Sequence, residues 1–147
     1  MFKLWKLGDQ KEMKDEEKEN LYITFQQTIE SIINDKRKNA KNDKLVNKFN
    51  AKINIGLQTE ENFCLWVNLL ADEGKFSLNR DRLEEYDLEL TATPEDLLFF
   101  SNGENSIITM MTKKNDFGYR KLKIRKGSNG KRNLGILLKL SKLLVLD

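Results

Sequence analysis

Residues Tyr86–Leu98, YDLELTATPEDLL, join a strand to a helix in one short stretch. Leu88, Leu90 and Ala92 alternate with Asp87, Glu89 and Thr91, the two-residue period of a strand with one apolar face. The alternation ends at Thr93-Pro94-Glu95-Asp96, which reads as a helix start. Threonine serves as the N-cap, proline takes the first helical position, and two acids sit in the first turn, where they complement the helix dipole. A strand running straight into a capped helix commits the chain to mixed α and β structure.

The same two-residue period recurs upstream. Ile53, Ile55 and Leu57 alternate with Lys52, Asn54 and Gly56, and after Thr59–Asn62 the residues Phe63, Leu65, Val67 and Leu69 alternate with Cys64, Trp66, Asn68 and Leu70. Asp72-Glu73-Gly74 reads as a turn into Lys75–Leu78. Short turns between such segments predict antiparallel meander pairing, with one face of the sheet apolar and the other mostly wet. Trp66 and Leu70 fall on the polar side and predict that part of that second face is covered. Further upstream, Leu21, Phe25, Ile29, Ile32 and Ile33 lay one apolar stripe on a helix spanning about Asp9 to Lys38. A basic connector, Lys36–Lys44, and a small apolar knot of Leu45, Val46 and Phe49 follow.

Downstream, the helix opened by Thr93 carries Leu97, Leu98, Phe99 and Phe100 and stops near Asn102-Gly103, and a second apolar helix holds Ile107, Ile108, Met110 and Met111. Leu122 and Ile124 alternate with Lys121, Lys123 and Arg125 in a last strand. The turn Gly127–Gly130 leads to a closing helix over Asn133–Leu146, whose only polar stripe is Gly135, Lys139 and Lys142. Its apolar arc is far wider than the ~100° needed to dock on a sheet. The same holds for Leu97–Phe100. Something besides the sheet must cover these helices, and a pocket between the layers is the expectation.

The composition narrows the chemistry. The 147 residues suit a single domain, with residues 1–19 a charged extension or the start of the first helix and 20–147 the folded unit. There is no histidine and one cysteine, so Cys/His zinc sites, Ser-His-Asp and Cys-His catalysis and internal disulfides are excluded. The longest uncharged runs, Asn20–Ile29 and Asn62–Ala71, fall well short of the ~20 residues a spanning helix needs. Met1–Leu7 interleaves Phe2, Leu4, Trp5 and Leu7 with Lys3 and Lys6 and lacks a secretory apolar core, so a cytoplasmic address is expected. Glu84-Glu85 and Asp72-Glu73 are solvated turn carboxylates without a partner base, and Cys64 reads as packing. Neither a cofactor nor a metal is expected.

Charge is segregated along the chain: residues 60–104 carry a net −9 and residues 105–147 a net +9. The basic block includes Lys121, Lys123, Arg125, Lys126, Lys131 and Arg132. It suits anionic surfaces, while the bland alternative has acidic and basic segments facing one another. Nucleic acid is the less favoured partner, because the block lacks interleaved stacking aromatics and any recognisable fingerprint.

The order of parts resembles the sterol carrier protein-2-like domain. Tyr86–Leu98 matches a strand ending in an acid-rich helix start, Lys121–Gly127 (KLKIRKG) the penultimate strand and its glycine, and Leu134–Leu140 (LGILLKL) the terminal helix. Lys48–Gly56 and Asn62–Asn68 add weaker likeness, and the resemblance spans residues 20–147. Asn115–Arg120 and Ser128–Asn133 read as insertions into that pattern. The resemblance implies an α+β fold with a single mostly antiparallel sheet of about five strands, helices packed on one face and a hydrophobic tunnel between the layers. It implies a non-enzymatic lipid-binding or lipid-transfer protein holding a fatty acyl, sterol-like or isoprenoid chain, with the terminal helix as lid. The expected lining is Leu97, Leu98, Phe100, Ile107, Met110, Met111, Leu134, Leu137, Leu138 and Leu144. The six cations named above are expected to dock on membrane or another anion, and a monomer is favoured. A protein-interaction module of the same fold, serving an enzyme of lipid or isoprenoid metabolism, is the alternative.

Overall fold

The computed structural model describes residues 14–101 and 107–144, with the side chains of 98–101 and 107–108 outside the description. The chain begins with helix α1 (Asp15–Lys36) and helix α2 (Ala40–Lys48). The meander β1 (Ala51–Glu60), β2 (Phe63–Asp72) and β3 (Lys75–Arg80) follows. Strand β4 (Leu88–Ala92) leads into α3 (Pro94–Ser101), then α4 (Ile107–Thr112), β5 (Lys123–Arg125) and α5 (Leu134–Leu144). The five strands form one sheet in the order β3-β2-β1-β4-β5. The fold is α+β, with a sheet that is mostly antiparallel.

Local chemistry accounts for the boundaries. Thr93 Oγ1 accepts from the Asp96 backbone N–H at 3.1 Å, the expected N-cap of α3. Glu73 and Gly74, at φ 47° and 88°, form the two-residue turn between β2 and β3, both in the left-handed region such turns require. Helix α2 replaces the expected connector and knot. Asn39 caps it, its side chain accepting from the backbone N–H of Lys41 and Asn42, so Val46 and Phe49 reach the core from an ordered turn of helix.

Register fixes the two faces. Ile53, Ile55 and Leu57 of β1 pair with Leu69, Val67 and Leu65 of β2 and with Leu88, Leu90 and Ala92 of β4, all turned toward the helices. Helix α1 lays Phe25, Ile29, Ile32 and Ile33 into this face and packs against α5 along its side. On its flank, Tyr22 Oη and Gln26 Nε2 both donate to the Leu78 carbonyl at 3.0 Å, tying α1 to edge strand β3.

One expected pairing is corrected: β4 does not continue the meander. It runs parallel to β1, and the segment 81–87 crosses the back of the sheet to deliver it there. Buried Asn54 explains how. Its amide donates to the Leu83 carbonyl at 3.0 Å and its carbonyl accepts from the Leu83 N–H at 2.8 Å, so one side chain stands in for a strand partner. Asn68 donates to the carbonyls of Arg80 and Asp81. Gly56 leaves room beside them, since a Cβ there would lie 2.7 Å from Thr91 Cγ2 and 3.0 Å from the Trp66 ring. The crossover is the cover that Trp66 called for: Arg82 lies over that ring at 4.7 Å and forms a two-point ion pair with buried Glu89.

Replacing Asn54 by leucine keeps the bulk, deletes both hydrogen bonds and strands two Leu83 backbone groups. Urea unfolding of Asn54→Leu is expected to show a loss of about 2–4 kcal/mol. A loss below about 0.5 kcal/mol, the level of an ordinary surface change, would mean that the crossover is not held this way.

Candidate functional site

The apolar seam between helices and sheet contains a hollow of about 20 Å³. Its floor is Ile55 of β1 and Leu90 of β4, with Leu122 just ahead of β5. Phe25, Thr28 and Ile29 of α1 form one wall, and Leu97 of α3 with Leu137, Leu140 and Leu144 of α5 form the other. Thr28 is the one polar lining residue, and its hydroxyl is spent on the Thr24 carbonyl of its own helix at 2.8 Å. A hollow of this volume is on the order of one water molecule and offers a water nothing to bond, so it is a dry void. This hollow is far smaller than an acyl chain. Helix α1 lays its stripe against α5 and occupies space that a one-sided reading of α5 leaves vacant.

The expected lining residues fall into four groups. Leu97, Leu137 and Leu144 line the hollow. Met110 is fully buried and Met111 partly so, both packed in the core without facing the hollow. Leu134 and Leu138 are corrected outright: they lie on the outward side of α5, 46% and 55% exposed. Leu98, Phe100 and Ile107 lie outside the described side chains. Phe25, Thr28, Ile29, Ile55, Leu90, Leu122 and Leu140 belong to the site and were not foreseen in it, although the stripe on α1 already displayed Phe25 and Ile29.

Helix α5 is attached almost entirely by apolar contact. Leu137, Leu140, Leu143 and Leu144 point inward. Among the described residues, the polar tie from this segment to the body is Asn133 Nδ2 donating to the Asp87 carbonyl, just before the helix begins. Dispersion and hydrophobic contacts are not directional, so another hydrocarbon can take their place.

The expected docking cations are also placed. Lys121 is half-buried and paired with Asp96 at 3.6 Å, so it serves the α3 terminus and leaves the basic surface. Lys123 and Arg125 project from the back of β5, and Lys126, Lys131 and Arg132 are exposed in the turn that follows. A separate polar cleft of about 750 Å³ opens at the far end of the sheet. Glu17, Gln58, Asp96, Asn115 and Lys121 are among the residues that line it. Asn115 Nδ2 donates to Gln58 Oε1 at 3.0 Å, and its own carbonyl accepts from the N–H of Phe117 and Tyr119, which shapes the 115–120 loop. Glu84, Glu85, Asp72 and Glu73 are exposed.

Helices layered on one apolar face of an open mixed sheet, sealed around a dry hollow, define an α+β domain built for apolar contact. The arrangement is the sterol carrier protein-2-like fold. The structure resembles the sterol carrier protein domain 2 of Helicoverpa armigera, with a TM-score of 0.56 and 19% identity over 79% of this chain and 81% of that one. It resembles the UbiJ-SCP2 ubiquinone synthesis protein with a TM-score of 0.60 and 8% identity, covering 90% of this chain and 93% of that one. A sterol carrier protein 2 gives 0.52 at 10% identity, over 81% of this chain and 92% of that one. The sequence matches no protein-family model and no curated protein. No helix among the described residues is long and apolar enough to cross a membrane.

Cys64, on the back face, tests the electrostatics there. Burial pushes its thiol above the ordinary value, against the opposing pull of Arg125 and Lys123. A raised pKa means less thiolate at a given pH, so alkylation by iodoacetamide at neutral pH is expected to be slower than in an unfolded control. The rate should rise with pH and level off at a higher pH than in the unfolded control, and Arg125→Gln should move that plateau higher still. Rapid labelling at neutral pH would contradict this placement.

Proposed function

We propose that this protein binds an apolar chain, such as a fatty acyl or isoprenoid lipid, between α5 and the sheet, without catalytic chemistry of its own. The observation that carries the reading is the seam itself: an almost wholly apolar interface around a dry hollow, covered by a helix with almost no polar ties among the described residues. Exposing one buried leucine costs about 1.5–3 kcal/mol, so α5 stays down when nothing replaces its contacts. A guest chain that slides beneath it covers the same leucines again and breaks no hydrogen bond. Each methylene it buries contributes ~0.8 kcal/mol, enough in sum for binding without polar recognition. The seam drawn in around its small hollow is the empty state of such a site, and the lone thiol and the lack of a spanning helix among the described residues suit a cytoplasmic setting. The likeness to sterol carrier protein 2 domains supports this reading at the level of fold.

One observation favours a second reading. The hollow is closed while Leu134 and Leu138 stand outside on α5, as they would in an accessory module that docks on another protein.

The test uses a polyene fatty acid whose fluorescence rises in dry surroundings, added to delipidated protein. Saturable enhancement is expected. Leu137→Asp, with its fold checked by circular dichroism, should weaken it at least about tenfold, because a carboxylate in the seam must be desolvated. Leu137→Ala should act oppositely. It destabilises the empty protein by about 2–5 kcal/mol, enlarges the hollow, and should gain more thermal stability from the fatty acid than the parent does. No enhancement with the parent protein would overturn the lipid reading and leave the accessory one.

A further inference from the structure

We propose that the end of the molecule formed by the 126–132 turn and the outward side of α5 is a docking surface for an anionic lipid bilayer. Leu134 and Leu138 are the two most exposed large apolar side chains among the described residues, at 46% and 55%. Four residues apart on a helix, they share one side of it. The exposed arc continues through Gly135, Lys139 and Lys142, while the opposite arc faces the core. Directly before the helix, Lys126, Lys131 and Arg132 stand exposed in the turn. From Phe117 to Leu144 the sequence holds nine cations and no acid.

The turn presents these charges from a fixed platform. Gly127 N–H donates to the Lys131 carbonyl at 2.9 Å, Ser128 N–H to the Tyr86 carbonyl at 2.9 Å, and Lys131 N–H to Asn129 Oδ1 at 3.0 Å. Gly127 admits no side chain, since a Cβ would lie 2.5 Å from the Asp87 carbonyl oxygen. The nearest acids in sequence to this anchorage are Glu84, Glu85 and Asp87, and the Asp87 carboxylate is engaged by the Lys52 N–H at 2.8 Å. The turn itself, residues 126–132, carries three cations and no acid.

Its chemistry selects the partner. Cations alone would suit any polyanion, but two unshielded leucines among them gain nothing from RNA or an acidic peptide. An anionic bilayer offers headgroup charge to the lysines and arginine and an acyl boundary to the leucines. Leu137 and Leu140, on the inward side of the same helix, face the hollow. Docking would therefore set the lid of the seam against the layer from which an apolar chain could enter. That purpose rests on the lipid-binding reading; the docking itself does not.

The test is co-sedimentation of the full chain with vesicles of phosphatidylcholine, with or without phosphatidylglycerol. Binding is expected only with phosphatidylglycerol and should fall as salt rises. The pair Lys131→Glu/Arg132→Glu and the pair Leu134→Ser/Leu138→Ser should each weaken it about tenfold or more, since cations and buried methylenes contribute separately. Lys113→Glu/Lys114→Glu, at the other end of the sheet, should leave binding within about twofold, as expected for charges beyond the screening length. Absence of binding at low salt, or equal binding to neutral vesicles, would overturn the proposal. So would loss with the charge pair but not the leucine pair, which would mark a polyanion surface that RNA could equally fill. Fatty acid uptake measured without vesicles separates the two claims. Vesicle binding without uptake leaves the docking surface and removes the lipid site, and uptake without vesicle binding does the reverse.

Discussion

Helix α5 carries apolar residues around most of its circumference, and a sheet can hide only one side of a helix. The rest of the fold follows from how that excess is covered. Helix α1 answers it by lying alongside α5 on the same sheet face, so Phe25 and Ile29 meet Leu137, Leu140 and Leu144 over Ile55 and Leu90. The sheet face is itself continuous, because the register places Ile53, Ile55 and Leu57 of the central strand level with apolar partners on both sides. The 20 Å³ hollow is the residue of imperfect fit among three surfaces that have no polar groups with which to specify their spacing.

The two faces of the sheet are held by opposite kinds of force. On the back, Asn54, Asn68 and the Arg82–Glu89 pair fix the crossover by directional bonds with defined partners. Such bonds stabilise little on balance, yet each is expensive to leave unmade, so they make that face rigid. On the front, the α5 leucines meet Phe25, Ile29, Ile55 and Leu90, apolar contacts that tolerate substitution by hydrocarbon of similar volume. A molecule in which one side of the sheet resists change and the other accepts it is suited to opening along a single layer.

Much of this order was legible in the sequence, and the failures have physical causes. The alternation at Ile53–Leu57, Phe63–Leu69 and Leu88–Ala92 named the strands because half-buried strands must alternate, and Thr93-Pro94-Glu95-Asp96 named α3 because its cap is local chemistry. The parallel placement of β4 was hidden, since it depends on side chains of β1 and β2 bonding a loop far along the chain. Helix α2 was hidden because its signal is a single cap, Asn39, before a polar run. Leu134 and Leu138 were assigned to the wrong side because a helix that is apolar nearly all round does not reveal which arc faces out. The α1 residues of the seam were visible as a stripe, but nothing in a stripe says which neighbour it meets.

The charge segregation has its own resolution. Acidic and basic segments facing one another would have made the +9 of residues 105–147 a purely internal matter. Among the described ion pairs, Lys121 with Asp96 is the one that draws on that block, while Glu89, the register partner of Arg125, is taken by Arg82. The block is thus left to the surface, and the fold spends its acids elsewhere. The same stretch also holds Leu134 and Leu138, whose exposure would otherwise be an unrelieved aggregation hazard. Cations spaced around two exposed leucines resolve both features together. Like charges around such leucines oppose the approach of a second copy, and a negative surface would remove that opposition.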